Sequence, residues 1–155
     1  GIAIGGSTGA LRGVSVGLFD SSNTTGIPGG VTVGGINTLN LNYRPASNAN
    51  VWYAAVVDDP NVLFAVQEES NGTALAATDV GLNTIGKSGT GNGYISGWMI
   101  PSATGATPGT TATLQLRLMG LVPTPAATNV FGAYAKWIVQ INVHELGHGT
   151  GAAGV

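Results

Sequence analysis

The chain of 155 residues has no cysteine, only two histidines and few charges, and each shortage removes a class of function. Without cysteine there is neither a disulfide framework nor thiolate chemistry. Charged residues make up 8% of the chain, against about 25% in an average soluble domain. Hydrophobic residues make up 43%, and the mean hydropathy is +0.27. A surface so poor in charge suits burial against other proteins better than life as an isolated monomer. A bilayer is not the expected partner, because Gly, Asn, Thr or Ser interrupts every apolar run before the ~18 to 20 residues of a membrane span. Nor is nucleic acid, since the formal net charge is -2 and no basic run could neutralise phosphates. The first residue is Gly1 rather than Met, and GIAIGGSTGA has no basic region and no long apolar core, so it does not read as an intact signal peptide. The start is expected to be processed, trimmed or incomplete.

What the chain has in quantity is glycine, 26 residues spread from end to end among Thr, Ser, Asn and Ala. This composition disfavours helix and favours short strands joined by tight turns. Its length suits one domain. Residues 1–35 read as a Gly-rich arm or loop region carrying short strands at 14–18 and 31–33. Residues 36–146 read as a β-rich body, and 147–155 as a Gly-rich tail. Within the body, 36–43 alternates apolar and polar residues until Arg44-Pro45 ends it. Residues 51–67 read as two strands joined by the Asp58-Asp59-Pro60-Asn61 turn. A short helical turn is expected at 75–82 with Thr73 as its cap, a mobile loop at 86–93, a strand at 94–100 and a second loop at 101–111. The clearest internal strand is 111–118, with Ala112, Leu114, Leu116 and Leu118 on one face and Thr113, Gln115 and Arg117 on the other. Pro123 and Pro125 suit a crossing or an edge. The expected fold is all-β, a sandwich or barrel of jelly-roll type with extended terminal arms.

Residues 129–155 can be read in two incompatible ways. His144-Glu145-Leu146-Gly147-His148 fits H-E-x-x-H, with Gly151 where the longer zinc pattern has its glycine. Yet Lys136, Gln140, Asn142 and His144 alternate with Trp137, Val139, Ile141 and Val143, the period of a half-buried strand. A zinc site needs both histidines on one helical face. Gly147, Gly149 and Gly151 together cost such a helix about 3 kcal/mol, and position 154, where a third histidine would stand, is glycine. The strand reading is preferred: no metal, cofactor or catalytic residue is assigned. Trp137, Val139 and Ile141 face a core or a partner subunit, and His144 and His148 join them as interface candidates where the strand leaves the domain.

Five of the seven acidic residues gather at Asp58, Asp59, Glu68, Glu69 and Asp79 without the spacing of a calcium loop, and read as solubilising turn and strand-end residues. The glycines near Ser7 lack the G-K-[ST] ending of a phosphate loop. No serine lies in G-x-S-x-G. Trp52, Trp98 and Trp137 all fall in expected strands, where core packing is the default.

The order of segments VVDDPNVLFAVQEE, AATDVGLN, a Gly/Ser/Thr loop, TATLQLRLMGL and WIVQINVHELGHGTGAAGV resembles structural proteins of tailed bacteriophages, most of all capsid decoration (cement) proteins, over roughly the C-terminal two thirds. The resemblance implies a non-enzymatic, β-rich homo-oligomer, commonly a trimer, on the outer capsid surface of the virion, clamping neighbouring major capsid protein subunits. A tail or fibre domain that binds a receptor would share the composition, and a zinc metallopeptidase acting through His144 to His148 is the remote alternative.

Overall fold

With glycine interrupting nearly every segment, strands stay short and the backbone is closed by bulges, bridges and side-chain hydrogen bonds. The computed structural model describes residues 8–20, 32–33, 36–37, 52–88, 97–102, 108–147 and 150–155. In chain order the strands are β1 (Val14–Asp20), β2 (Thr32–Val33), β3 (Ile36–Asn37), β4 (Trp52–Val57), β5 (Leu63–Glu68), β6 (Asn83–Thr84), β7 (Met99–Ile100), β8 (Leu116–Leu121) and β9 (Lys136–Ile141). Among the described residues the only helical pieces are two 3-10 turns, Ala77–Asp79 and Pro125–Ala127. The chain is all-β, as its composition led us to expect.

The described residues fall into two compact units, one within 13–58, the other made of 8–12 with 59–155. In the first, β1 and β4 form an antiparallel ribbon running from Val14 opposite Val57 to Asp20 opposite Trp52, with a bulge between Ser15 and Gly17. β2 and β3 pair over two residues each.

The second unit is built on a five-stranded sheet in the order β6-β8-β9-β5-β7, antiparallel except for the β5–β7 pair. β9 lies at its centre because it has the most continuous β-branched and aromatic pattern, able to pack on both neighbours. Residues directly opposite in a ladder share a face. Trp137 lies between Val66 and Leu121, Val139 between Phe64 and Leu118, and Ile141 beside Leu116. This face is the core, completed by Leu75 and Ile100. Full burial of Trp137 and Leu118 contributes about 1.5–3 kcal/mol each.

Several expected elements are corrected. The strand placed at 111–118 starts only at Leu116 and runs on to Leu121, because Asn142 Nδ2 donates to the carbonyls of Ala112 and Leu114 and satisfies them without a ladder. Gln115, assigned to the polar face, is fully buried: its Oε1 accepts from Gly86 N and its Nε2 donates to Gly9 O. The strands around the 58–61 turn are present but do not form a hairpin, since β4 pairs with β1 and β5 with β9 and β7. The turn within 75–82 is capped at Ala76, whose N–H donates to Asp79 Oδ2 at 2.7 Å, and not at Thr73. In the loop expected at 86–93, Lys87 exchanges both backbone hydrogen bonds with Met99. Residues 89–93, like 38–43 and 94–96 of the expected strands, lie outside the described residues.

Within the stretch read as an N-terminal arm or loop region, β1 covers the short strand expected at 14–18, and Leu11 is clamped between Val143 O and Glu145 N of its own unit. Residues 150–155, expected to project, are bonded to the body: Gly154 N donates to Thr110 O, and Val155 N to Gly81 O. The physical reason is that short Gly/Ala side chains let a backbone lie close enough to trade hydrogen bonds with its own chain as readily as with a neighbour's.

Candidate functional site

The face of the five-stranded sheet opposite the core carries the polar half of the pattern. Ladder register puts Asn83, Arg117 and Gln140 in one row across β6, β8 and β9. In an open sheet this row would be solvated, but here the C-terminal tail covers part of it. Asn83 Nδ2 donates to Ala152 O at 2.8 Å, Arg117 Nη2 donates to the carbonyls of Ala152 and Ala153, and Asn142 Oδ1 accepts from Ala152 N at 2.9 Å. The tail is held almost wholly through its backbone, so its small side chains are a requirement. Gly151 shows this most clearly: its φ is +67°, and a Cβ there would lie 2.1 Å from Ala112 O.

Beside the tail an open cleft of about 360 Å³ is lined by Pro60, Asn61, Arg117, Gln140, Ile141, Asn142, His144, Gly147 and Ala152. Gln140 Nε2 donates to Pro60 O, which ties the 58–61 turn to its rim. His144 is buried, and its Nδ1 accepts the Leu146 N–H at 3.0 Å. An acceptor nitrogen carries no proton, so in the neutral ring the proton sits on Nε2. That Nε2 has no hydrogen-bond partner among the described residues. Leaving such a donor buried and unmade costs roughly 1–3 kcal/mol.

The H-E-x-x-H spelling does not produce zincin geometry over the residues described. His144 forms a parallel bridge with Leu11 and Glu145 begins a turn, so 144–147 is not a helix. A metal-binding histidine ordinarily donates its second ring N–H to an oxygen. His144 does the reverse, accepting at Nδ1 and keeping its proton on the other nitrogen. Glu145 faces Arg12 at 3.8 Å, an exposed pair of little energetic weight. His148 lies outside the described residues. No group of three or more His, Asp or Glu able to hold a metal occurs among the described residues.

The acidic residues of 58–79 are separated by role. Asp59 accepts from Asn61, and Asp79 caps its turn. Glu68 and Glu69, read as solubilising, are instead buried. Glu68 accepts from Leu75 N at 2.7 Å and from Trp137 Nε1 at 3.0 Å, while Glu69 pairs with Lys87 at 2.5 Å. They lie at the end of β5, where the chain turns across the core and leaves donors that need acceptors.

Trp137, Val139, Ile141 and His144 are at most 6% exposed. Trp137, Val139 and Ile141 pack in the core of their own unit, the first of the two settings their alternation allowed. The alternation identified the apolar face but could not say what covers it. Exposed apolar side chains of unit two include Leu63, Val80, Met119, Leu146 and Val155, and three more, Val130, Phe131 and Tyr134, sit together on the loop leading into β9, with the Phe131 ring 5.5 Å from that of Trp137. That loop is anchored at its base by Asn129, whose amide donates to Val122 O and Lys136 O and accepts from Lys136 N. Tyr134 adopts a φ of +63°, an uncommon conformation for a bulky residue. Nothing in the hydrophobic period marks these residues, because they belong to a loop; the one signal was an aromatic and apolar group in a Gly/Ala segment with no strand to bury it. Against protein-family models, curated proteins and solved structures, the chain matches none.

Proposed function

We propose that the protein is a non-enzymatic virion structural protein that binds the outer capsid surface and bridges major capsid subunits, acting as a homo-oligomer, with a trimer favoured. The observation that carries this reading is the anchored loop presenting Val130, Phe131 and Tyr134 to solvent on a chain with only 8% charged residues. Exposed apolar side chains held by a clamped backbone are what a partner surface covers. Aromatic anchors pre-positioned in this way lose little conformational entropy on binding. A cement protein works by summing many such contacts, so that internal pressure must break several interfaces together. Low charge supports this role, because charges at an interface core must be desolvated.

The same reading takes the fold to be a jelly-roll-like sandwich or barrel in which the five-stranded sheet is one wall. Its edge strands β6 and β7 have two residues each, which leaves little free ladder for a partner strand. Loops and side chains, rather than sheet extension, therefore carry the proposed contacts of that unit.

The test is a low-resolution map of the particle that contains this protein. Repeated density on the outside of the shell, at junctions between capsid subunits, is the expected result. Density confined to a tail or fibre would replace this reading with that of a receptor-binding β domain.

A further inference from the structure

The unused hydrogen-bonding capacity beside the tail points to a ligand of one chemistry. We infer that the cleft bounded by Arg117, Gln140, Asn142 and His144 is an oxyanion site that takes a carboxylate group.

Three observations carry it. His144 lines the cleft, is 1% exposed, and keeps an Nε2–H donor with no acceptor among the described residues. Arg117 lines the same cleft, and among the described residues its guanidinium donates only to neutral oxygens, those of Asn83, Ala152 and Ala153. Among the described residues no carboxylate lies within ion-pair distance of it; the pairs that form, Arg12 with Glu145 and Lys87 with Glu69, occupy other cations. The remaining lining side chains offer no competing acceptor of full charge, because Gln140 and Asn142 are neutral amides and Asn61 is engaged with Asp59. A half-buried cation without a counter-ion favours an anionic oxygen, and a buried N–H without an acceptor can donate to that same oxygen.

Size narrows the class. At about 360 Å³ the cleft is much larger than one water and matches the lower range of small-ligand sites, which suits a short organic acid or an Asp or Glu side chain of another chain. The inference does not depend on the capsid reading. It would stand for a protein of any location with this face.

The test follows the assigned His144 ring N–H and the Arg117 guanidinium resonances of the isotope-labelled full chain during titration with sodium acetate, with sodium chloride at equal ionic strength as the control. A saturable shift of both with acetate and not chloride is expected, half complete on the order of 10 mM for so small a probe. Arg117→Gln should weaken it at least about tenfold; the wild-type titration decides the matter even if this variant folds poorly. A blocked aspartate peptide separates the two sources: tighter binding than acetate supports an acidic side chain of another chain, and equal binding supports a free organic acid. No saturable shift, an equal shift with chloride, or a response to inorganic phosphate alone overturns the inference.

Discussion

Glu68 is the residue on which the core most depends for its polar closure. One carboxylate serves both the Leu75 amide and the Trp137 indole, and all three groups are buried. Glu68→Leu leaves two buried donors without an acceptor and should destabilise the second unit by roughly 2–5 kcal/mol in urea titrations, whereas Glu68→Gln, which keeps one acceptor oxygen, should lose less. Equal stability of wild type and Glu68→Leu would show that the pair of bonds contributes nothing net. At Gly151 the constraint is steric. Gly151→Ala introduces a Cβ against Ala112 O at a positive φ, so the tail should detach locally at a cost of about 1–3 kcal/mol. Hydrogen exchange at the amides of Ala152, Gly154 and Val155 should then rise with the global unfolding midpoint little changed. Neither residue was legible beforehand: Glu68 sits in an acidic run that resembles solvated surface, and Gly151 is one of 26 glycines.

At the scale of elements, the tail and the β8–β9 pair form one device. Removing residues 150–155 uncovers Asn83 and frees Arg117 and Asn142 from their bonds to Ala152. Faster exchange should follow at β6 and at the β8 end near Leu116, with β5 and its pairing to β9 protected as before. A truncated chain whose exchange pattern matched the full chain would mean the tail spends little time docked. β9 was the most legible element, because Trp137, Val139 and Ile141 recur with a period of two on one side while Lys136 and Gln140 mark the other, a pattern broken only by Ile138. β8 was read one half-strand too early. Its apolar period starts at Ala112, but Asn142 captures the carbonyls that a ladder would have used. A side chain 30 residues away made that choice, and local pattern carries no trace of it.

For the whole molecule, scarcity of charge has a direct consequence. Two ion pairs of the described residues, Arg12–Glu145 and Lys87–Glu69, each leave one or both partners about half exposed. Such pairs add little and are screened by salt. The melting temperature should therefore move by no more than about 2 °C between roughly 0.05 and 0.5 M sodium chloride; a large change would reveal an electrostatic network elsewhere in the chain. The two units should also differ in protection. Described strands of the first pair only two by two, an arrangement marginal without further cover. Amides of β1 and β4 should exchange well before those of β9, and exchange at one common rate would show that the units unfold together.

The sequence by itself determined the class of the fold and the identity of its central strand. Glycine spread over every segment excludes helices, and a period of two with β-branched and aromatic residues specifies a sheet face, both through local stereochemistry. It also disfavoured zinc at His144, since glycines and a missing third histidine are visible in one dimension. Only the tertiary structure decided what covers each face. The apolar side of β9 meets β5, β8 and the Leu75 and Ile100 segments, and its polar side meets the chain's own tail. Partners this far apart in sequence are selected by the total of buried area and satisfied hydrogen bonds. That total is a property of the assembled sheet, so the cleft of Arg117 and His144 exists only once residues 60, 117, 144 and 152 have been brought together.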